Sequence, residues 1–378
     1  MRQNNSNTIE KQLIKPSILF IMHLPPPIHG AAVVGKMIKD SELINGPIKA
    51  TYINLSTSNT LEEIGHKIWS STLWFLSIVF KIIKHLIFNK TDLCYITLNA
   101  KGLGFYKDFI IVIFLKLFRK KILFHFHNKG VSEYENRRID RFLYKICFKN
   151  TKSILLTPLL YHDLASFVDE KDVFYCPNGI PEIYSNNIPT KFKNNQPCTF
   201  LWLSNMMINK GVVTQLKSCR ILKEKGVDFK FHFVGAWSDF TEDMFNETVK
   251  EFDLEGMVFA HGKKYNEDKI DFFLNADVFV FPTYNDTFGL VILEAMQASL
   301  PVITTFEGGI PDVVEDGVTA FLVPKKNEED LAKKMELLAN NPELRQQMGN
   351  AGRVRYDKNF TLEVFEKRFS KILKSANK

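Results

Sequence analysis

The chain has 378 residues, more than one typical domain and enough for two. Its composition, 45% hydrophobic and 24% charged, is ordinary for a globular protein, and phenylalanine is abundant at 33. Cys94, Cys147, Cys176, Cys198 and Cys219 are scattered and form no C-x-x-C pair, which argues against a disulfide framework or zinc site and fits a reducing cytoplasm. The net charge of +7 is uneven. Residues 1–190 hold 24 Lys and Arg against 15 Asp and Glu, and the remainder holds 25 against 27. The first half is therefore the basic one, and the partner it implies is an anionic membrane surface, with no nucleic acid.

The opening MRQNNSNTIEKQLIKP lacks the apolar core of a secretory signal, and no uncharged apolar run reaches membrane-spanning length. Ser17–Leu24 reads as a buried strand. Pro25–Pro27 then make a stiff turn into a helix near residue 31, where Gly30 suits either close approach of the backbone to a phosphate or a simple strand-to-helix turn. Tyr52–Leu55 is a second strand. Ile64–Phe88 is an apolar and aromatic helix interrupted by Lys67, Lys81, Lys84 and His85. It suits either a membrane interface or burial between layers. Asp92–Leu98 is a strand, Asp108–Leu117 an apolar helix, and Arg119-Lys120-Lys121 a basic cluster. Ile122–Asn128 is a strand carrying His125 and His127 on one face. That spacing suits metal ligation too, yet no third ligand lies nearby in sequence. Ser132–Phe148 reads as one basic amphipathic helix, Ser153–Thr157 as a strand, Tyr161–Phe167 as a helix, and Val173–Ile180 as a strand ending in a Pro-Asn-Gly turn.

Residues 184–197 are polar and rich in Pro and Asn, a linker. Cys198–Ser204 opens a second domain and leads through Asn205 and Lys210 into a helix ending near Lys225. Phe229–Gly235 and Met257–Gly262 are strands, with Trp237 and His261-Gly262-Tyr265 in the loops that follow. Asp277–Phe281 is a buried strand closed by Pro282. A loop then holds Asp286, a helix begins near Gly289, and Pro301–Thr305 is the next strand. This is a βαβ unit, and its polar turn lies where open α/β sheets bind ligands. Asp286 and Glu294 frame the turn with seven residues between them. A carboxylate accepts two hydrogen bonds from a vicinal diol, so an acid at each end of an anion-binding turn suits a nucleotide sugar. The same two acids also suit a solvated loop and a helix ion pair. Residues 318–323 are a late strand, followed by helices over 328–339, 342–357 and 361–375.

The segment Pro282–Val323 resembles the donor-site signature of glycosyltransferase family 4, retaining enzymes of the GT-B fold. Its ordered frame is Pro282-Thr283, Asp286, Phe288-Gly289-Leu290, Glu294-Ala295, Pro301-Val302, Gly308-Gly309, Asp312 and Asp316-Gly317. Asp286 and Asp312 stand where the family usually has Glu, Ala320 where it often has Gly, and Asn205 where it usually has Arg. The resemblance implies an α/β architecture of two Rossmann-like domains facing across a cleft. Residues 1–183 would be the acceptor domain, 198–360 the nucleotide-sugar domain, and 361–378 a helix crossing back. It implies transfer of a sugar from a nucleotide diphosphate sugar, UDP-linked by preference, to a glycan or lipid-linked acceptor, with retention and in bacterial surface-polysaccharide synthesis. The donor would meet Gly30, Asn205, Lys210, Asp286, Phe288, Gly289, Leu290 and Glu294. His127, Asp286 and Lys210 would serve catalysis, with the leaving diphosphate held by Lys210 and the Gly289 and Leu290 amides. No Asp-x-Asp occurs, so neither a metal nor a further cofactor is called for. Two other readings stay open: a non-catalytic sugar-nucleotide-binding partner in a glycan assembly complex, and a GT-B-type nucleotide-sugar epimerase. The expected location is cytoplasmic, peripheral on the inner face of the plasma membrane.

Overall fold

The structure is a computed structural model and describes residues 15–56, 68–184, 197–264 and 266–378. Most of the linker and Tyr265 therefore lie outside the described residues. Short apolar runs form two parallel sheets. In the first, β1 (Ser17–Met22), β2 (Lys49–Asn54), β3 (Leu93–Thr97), β4 (Lys121–His125), β5 (Lys152–Leu155) and β6 (Val173–Tyr175) lie in the order β2-β1-β3-β4-β5-β6. In the second, β7 (Cys198–Leu203), β8 (Phe229–Val234), β9 (Val258–Ala260), β10 (Val278–Phe281), β11 (Val302–Thr305) and β12 (Ala320–Val323) lie in the order β12-β11-β10-β7-β8-β9. Four of the inner strands, β1, β3, β10 and β11, are buried along their whole length. That is why they read as continuous apolar runs rather than alternating ones. The strand order reverses between β1 and β3 in one sheet and between β7 and β10 in the other. Those two crevices are where a doubly wound sheet binds ligands.

Phenylalanine fills much of the second core. The Phe231 ring stacks on Phe233 at 4.6 Å and on Phe200 at 5.7 Å. The final helix, Leu362–Asn377, is capped by Thr361, whose hydroxyl accepts the Val364 N–H. It inserts Phe365, Phe369, Ile372 and Leu373 into the core of the first sheet, and Phe369 meets Tyr95 edge-on at 5.4 Å. Each such side chain contributes about 1.5–3 kcal/mol when fully buried, so this helix ties the end of the chain firmly to the first domain.

Three local readings are corrected. Ser132–Phe148 is two helices, Val131–Tyr134 and Arg138–Phe148. The Asp163 carboxylate takes the N–H groups of Gly130, Val131 and Ser132, and Arg137 leaves helical geometry at φ −80°, ψ 122°. Tyr161–Phe167 is no α-helix. Bonds of i to i+3 type at Leu160, Leu164 and Phe167 wind Pro158–Asp163 as a 3₁₀ helix and close the residues after it as turns. Pro177-Asn178-Gly179 forms no turn, and the Ile180 that follows pairs in parallel with Thr361. A Cβ on Gly179 would lie 2.3 Å from the Thr361 carbonyl oxygen, so glycine is needed there for close approach of two backbones.

Candidate active site

Two loops meet at the β7/β10 crevice. One runs from Ser204 to Gly211, the other from Pro282 to Gly289. Gly211 has φ 87°, and a Cβ there would stand 2.2 Å from the Pro282 carbonyl oxygen. The Tyr284 N–H donates to the Asn209 carbonyl at 3.0 Å. This lacing sets Lys210 beside Asp286. The Lys210 ammonium donates to Asp286 Oδ2 and to the Asn285 carbonyl, each at 2.8 Å. Asp286 Oδ1 meanwhile accepts the N–H groups of Thr287, Phe288 and Gly289 at 2.8, 3.1 and 2.9 Å. The aspartate therefore folds its own turn.

This changes the expected anion site. The Gly289 amide is already taken, while the N–H groups of Leu290 and Val291, first in the helix Leu290–Gln297, have no acceptor among the described residues. The Phe288 ring is buried and faces Phe360 at 6.3 Å, so the ring serves the core. Glu294 lies one turn further along the same helix, and Lys269 Nζ stands 2.5 Å from its Oε2. That contact is an ion pair of poor hydrogen-bond angle, because the same buried oxygen has no hydrogen-bond partner. The two acids do not pair with a common cation: Asp286 holds Lys210, and Glu294 holds Lys269. Asn205 is exposed on its loop. Trp237 packs on Phe245 at 5.7 Å.

The first domain presents histidines. His125 is fully buried, and its Nδ1 pairs with the Tyr95 hydroxyl at 2.8 Å. His127 lies against it with ring centroids 4.1 Å apart, and its buried Nε2 has no partner. His23 and His29 complete the cluster, 5.4 Å apart. Burial first, and then His23 and His29, push His127 down to about 3. His127 is therefore a neutral imidazole, able to orient hydroxyls but carrying no charge. Among the described residues no three His, Cys, Asp or Glu side chains converge as a metal site. Gly30 starts the helix Gly30–Asp40, and a Cβ on it would lie 3.7 Å from Leu290 Cδ1. The two crevices therefore face each other across the cleft. Glu307, Lys129 and Lys325 were not singled out from sequence, and they cluster in this cleft.

The two histidines separate cleanly by mutation. His125→Ala should lower stability by about 1–3 kcal/mol, because the buried Tyr95 hydroxyl loses its partner. His127→Ala should lower turnover while its melting temperature moves less. Melting curves and initial rates on both variants check this, and the opposite pattern would move the site residue two places along β4.

Two such domains, opposed across a cleft at their switch points, define the GT-B class of fold. Solved glycosyltransferases share it. The Rickettsia africae glycosyltransferase aligns over 96% of this chain and 99% of its own, with TM-score 0.71 and 18% identity. Anabaena Alr3699/HepE, solved in complex with UDP-glucose, aligns over 95% and 99%, with TM-score 0.72 and 16% identity. In sequence, residues 185–355 match the family described as Glycosyl transferases group 1. The capsular polysaccharide biosynthesis glycosyltransferase CapM of Staphylococcus aureus is 31% identical over 199 residues, 50% of this chain and 51% of CapM. The amylovoran biosynthesis glycosyltransferase AmsK of Erwinia amylovora is 28% identical over 39% of this chain and 37% of its own. The chain thus matches about half or less of the length of these curated relatives.

Proposed function

We propose that this protein is a retaining glycosyltransferase that moves a sugar from a UDP-sugar to a glycan or lipid-linked glycan acceptor in surface-polysaccharide synthesis. The observation that carries the reading is the Lys210–Asp286 pair at the β7/β10 crevice, next to the free N–H groups of Leu290 and Val291 and across the cleft from His127. A diphosphate entering there meets one ammonium and two amides at a helix N-terminus. As the bond from sugar to diphosphate breaks and the bond to the acceptor oxygen forms, charge grows on the leaving group. These fixed donors stabilise it most at that moment. Asp286, relieved of Lys210, faces the sugar hydroxyls from one side, and neutral His127 faces them from the other. Glu294 suits the ribose diol. The choice of UDP draws support from the HepE complex, and the pathway from CapM and AmsK. The test is a melting-temperature screen of nucleoside diphosphates and their sugars. A cognate ligand at a hundredfold its Kd adds about 2.7 kcal/mol of apparent stability. A panel without any shift would count against the assignment.

The surface of the first domain supports a membrane-facing acceptor. The helix Ile68–Phe88 buries Ile78, Val79, Ile82 and Leu86 but turns Leu73, Leu76, Phe80, Ile87 and Phe88 outward. The neighbouring helices Gly102–Leu117 and Arg138–Phe148 expose Leu117, Ile139 and Phe142. Lys81, Lys84, Arg119, Arg138 and Arg141 are exposed on the same three helices or beside them. Among the described residues no helix is long and apolar enough to cross a membrane. An apolar face edged with cations suits peripheral docking on the inner leaflet, each basic residue adding about 1 kcal/mol at an anionic surface. Co-sedimentation with anionic vesicles should succeed at low salt, weaken as salt rises, and fall when Lys81, Lys84 and Arg119–Lys121 become Gln. Equal recovery with neutral vesicles would remove the role of the cations and leave docking to the apolar face, and no recovery with anionic ones at low salt would favour a soluble acceptor.

A further inference from the structure

Glu307 is a buried carboxylate, its side chain 1% exposed, held between two lysines. Oε1 contacts the Lys129 ammonium and Oε2 the Lys325 ammonium. Lys325 belongs to the same domain as Glu307, but Lys129 reaches across the cleft from the first domain. The loop that carries Lys129 is fixed on both sides. Asp163 accepts the N–H groups of Gly130, Val131 and Ser132 and the Ser132 hydroxyl. Asn128 accepts the Ala100 N–H at 2.9 Å and donates to Asn99 at 3.1 Å. The lysine therefore projects from a rigid platform, two residues beyond His127. Glu307 Oε1 also accepts the Asp286 N–H at 3.3 Å. One carboxylate thus joins the strand end bearing His127 to the turn bearing Asp286.

A carboxylate this deeply buried needs its cations, and removing one partner of a buried pair is costly. Glu307 is consequently a strong anchor for Lys129, while Lys129, 23% exposed, remains within reach of dissolved salt. We propose that Lys129 and Glu307 form an ionic latch between the domains, which positions the Asp286 turn against His127. The latch rests on the transferase reading for its effect on turnover, but not for its effect on shape. Both are positioning residues, since neither is placed on the reacting sugar.

Small-angle X-ray scattering and kinetics on the full chain test the latch, using Lys129→Gln and the conservative Lys129→Arg. Lys129→Gln should raise the radius of gyration, wild type should approach that value as salt is added, and Lys129→Arg should stay compact. In turnover assays Lys129→Gln should lose roughly 10- to 100-fold in kcat through misplacement of the two halves of the site. Its Kd for UDP should stay within about twofold, because the nucleotide groups lie on the second domain. Lys129→Arg should recover most of the rate. Equal radii of gyration for wild type and Lys129→Gln would overturn the latch whether or not wild type consumes any sugar nucleotide. An opened Lys129→Gln variant with unchanged kcat would overturn its positioning role, and parallel loss of UDP binding would make Lys129 a donor ligand instead. Wild type inert toward every donor would be a failure of the transferase reading, and the scattering would still decide the latch.

Discussion

Asp286→Ala should reduce turnover by at least about a hundredfold and lower the melting temperature as well. Asp286→Asn should lose turnover with little change in melting. The difference follows from the two jobs of one side chain. Oδ1 accepts three successive N–H groups and thereby folds the turn, whereas Oδ2 holds the Lys210 ammonium. Alanine removes both functions. Three orphaned amides and an unpaired lysine put the stability loss on the order of 1–3 kcal/mol, since the turn is partly open to water. Asparagine keeps an oxygen for the three amides but no charge for Lys210 or for the sugar hydroxyls. Thermal melts and initial rates on both variants check the split. Equal melting of Asp286→Ala and wild type would show that the turn folds without its aspartate.

Stability should fall steeply as the pH drops from about 6.5 toward 4. Burial lowers His23 to about 4 and His127 to about 3, each with a further contribution from its neighbouring imidazoles. His125 and His29, in the same cluster, are lowered too, and so is His232 in the second domain, to about 4. The sign follows from proton counting. The unfolded chain takes up protons near 6.5 while the folded one does not, so the stabilisation is complete above 6.5 and is lost on the way down. Each buried imidazole costs on the order of 1 kcal/mol per pH unit in that window. Asp108 works the other way. Burial raises it to about 7, so the folded state binds a proton that the unfolded state does not hold until lower pH, offsetting about one histidine. The net slope remains destabilising toward acid. Denaturant titrations at pH 7, 6 and 5 measure it, and His23→Gln should flatten it. A stability constant from pH 7 to 5 would contradict the neutral cluster.

The parts most legible in sequence were the buried strands and the donor-site frame. A strand covered on both faces is written as an unbroken apolar run, and Asp277–Phe281 and Pro301–Thr305 could be read with only the residues in hand. The helix Glu242–Glu251 goes unnamed from sequence, although Thr241 followed by Glu242 and Asp243 is a local start signal for it. What sequence could not show is tertiary. The Lys129–Glu307 pair spans 178 residues, and no local pattern announces it. Nor does any pattern say that the Gly289 amide is spent on Asp286, since a helix N-terminus looks the same whether or not a nearby carboxylate has filled it. The break inside Ser132–Phe148 falls at Arg137, whose backbone leaves helical geometry where the apolar pattern of the sequence runs on unbroken.

The most direct measurement is acceptor-dependent turnover of UDP-sugars by the purified chain, with nucleotide and sugar products followed together. UDP should be released in step with a new glycoside, with the donor's anomeric configuration kept, and both should stop in Asp286→Asn. Consumption of no sugar nucleotide with any glycan or lipid-linked acceptor, or isomerisation of the donor sugar without an acceptor, would contradict the transferase reading.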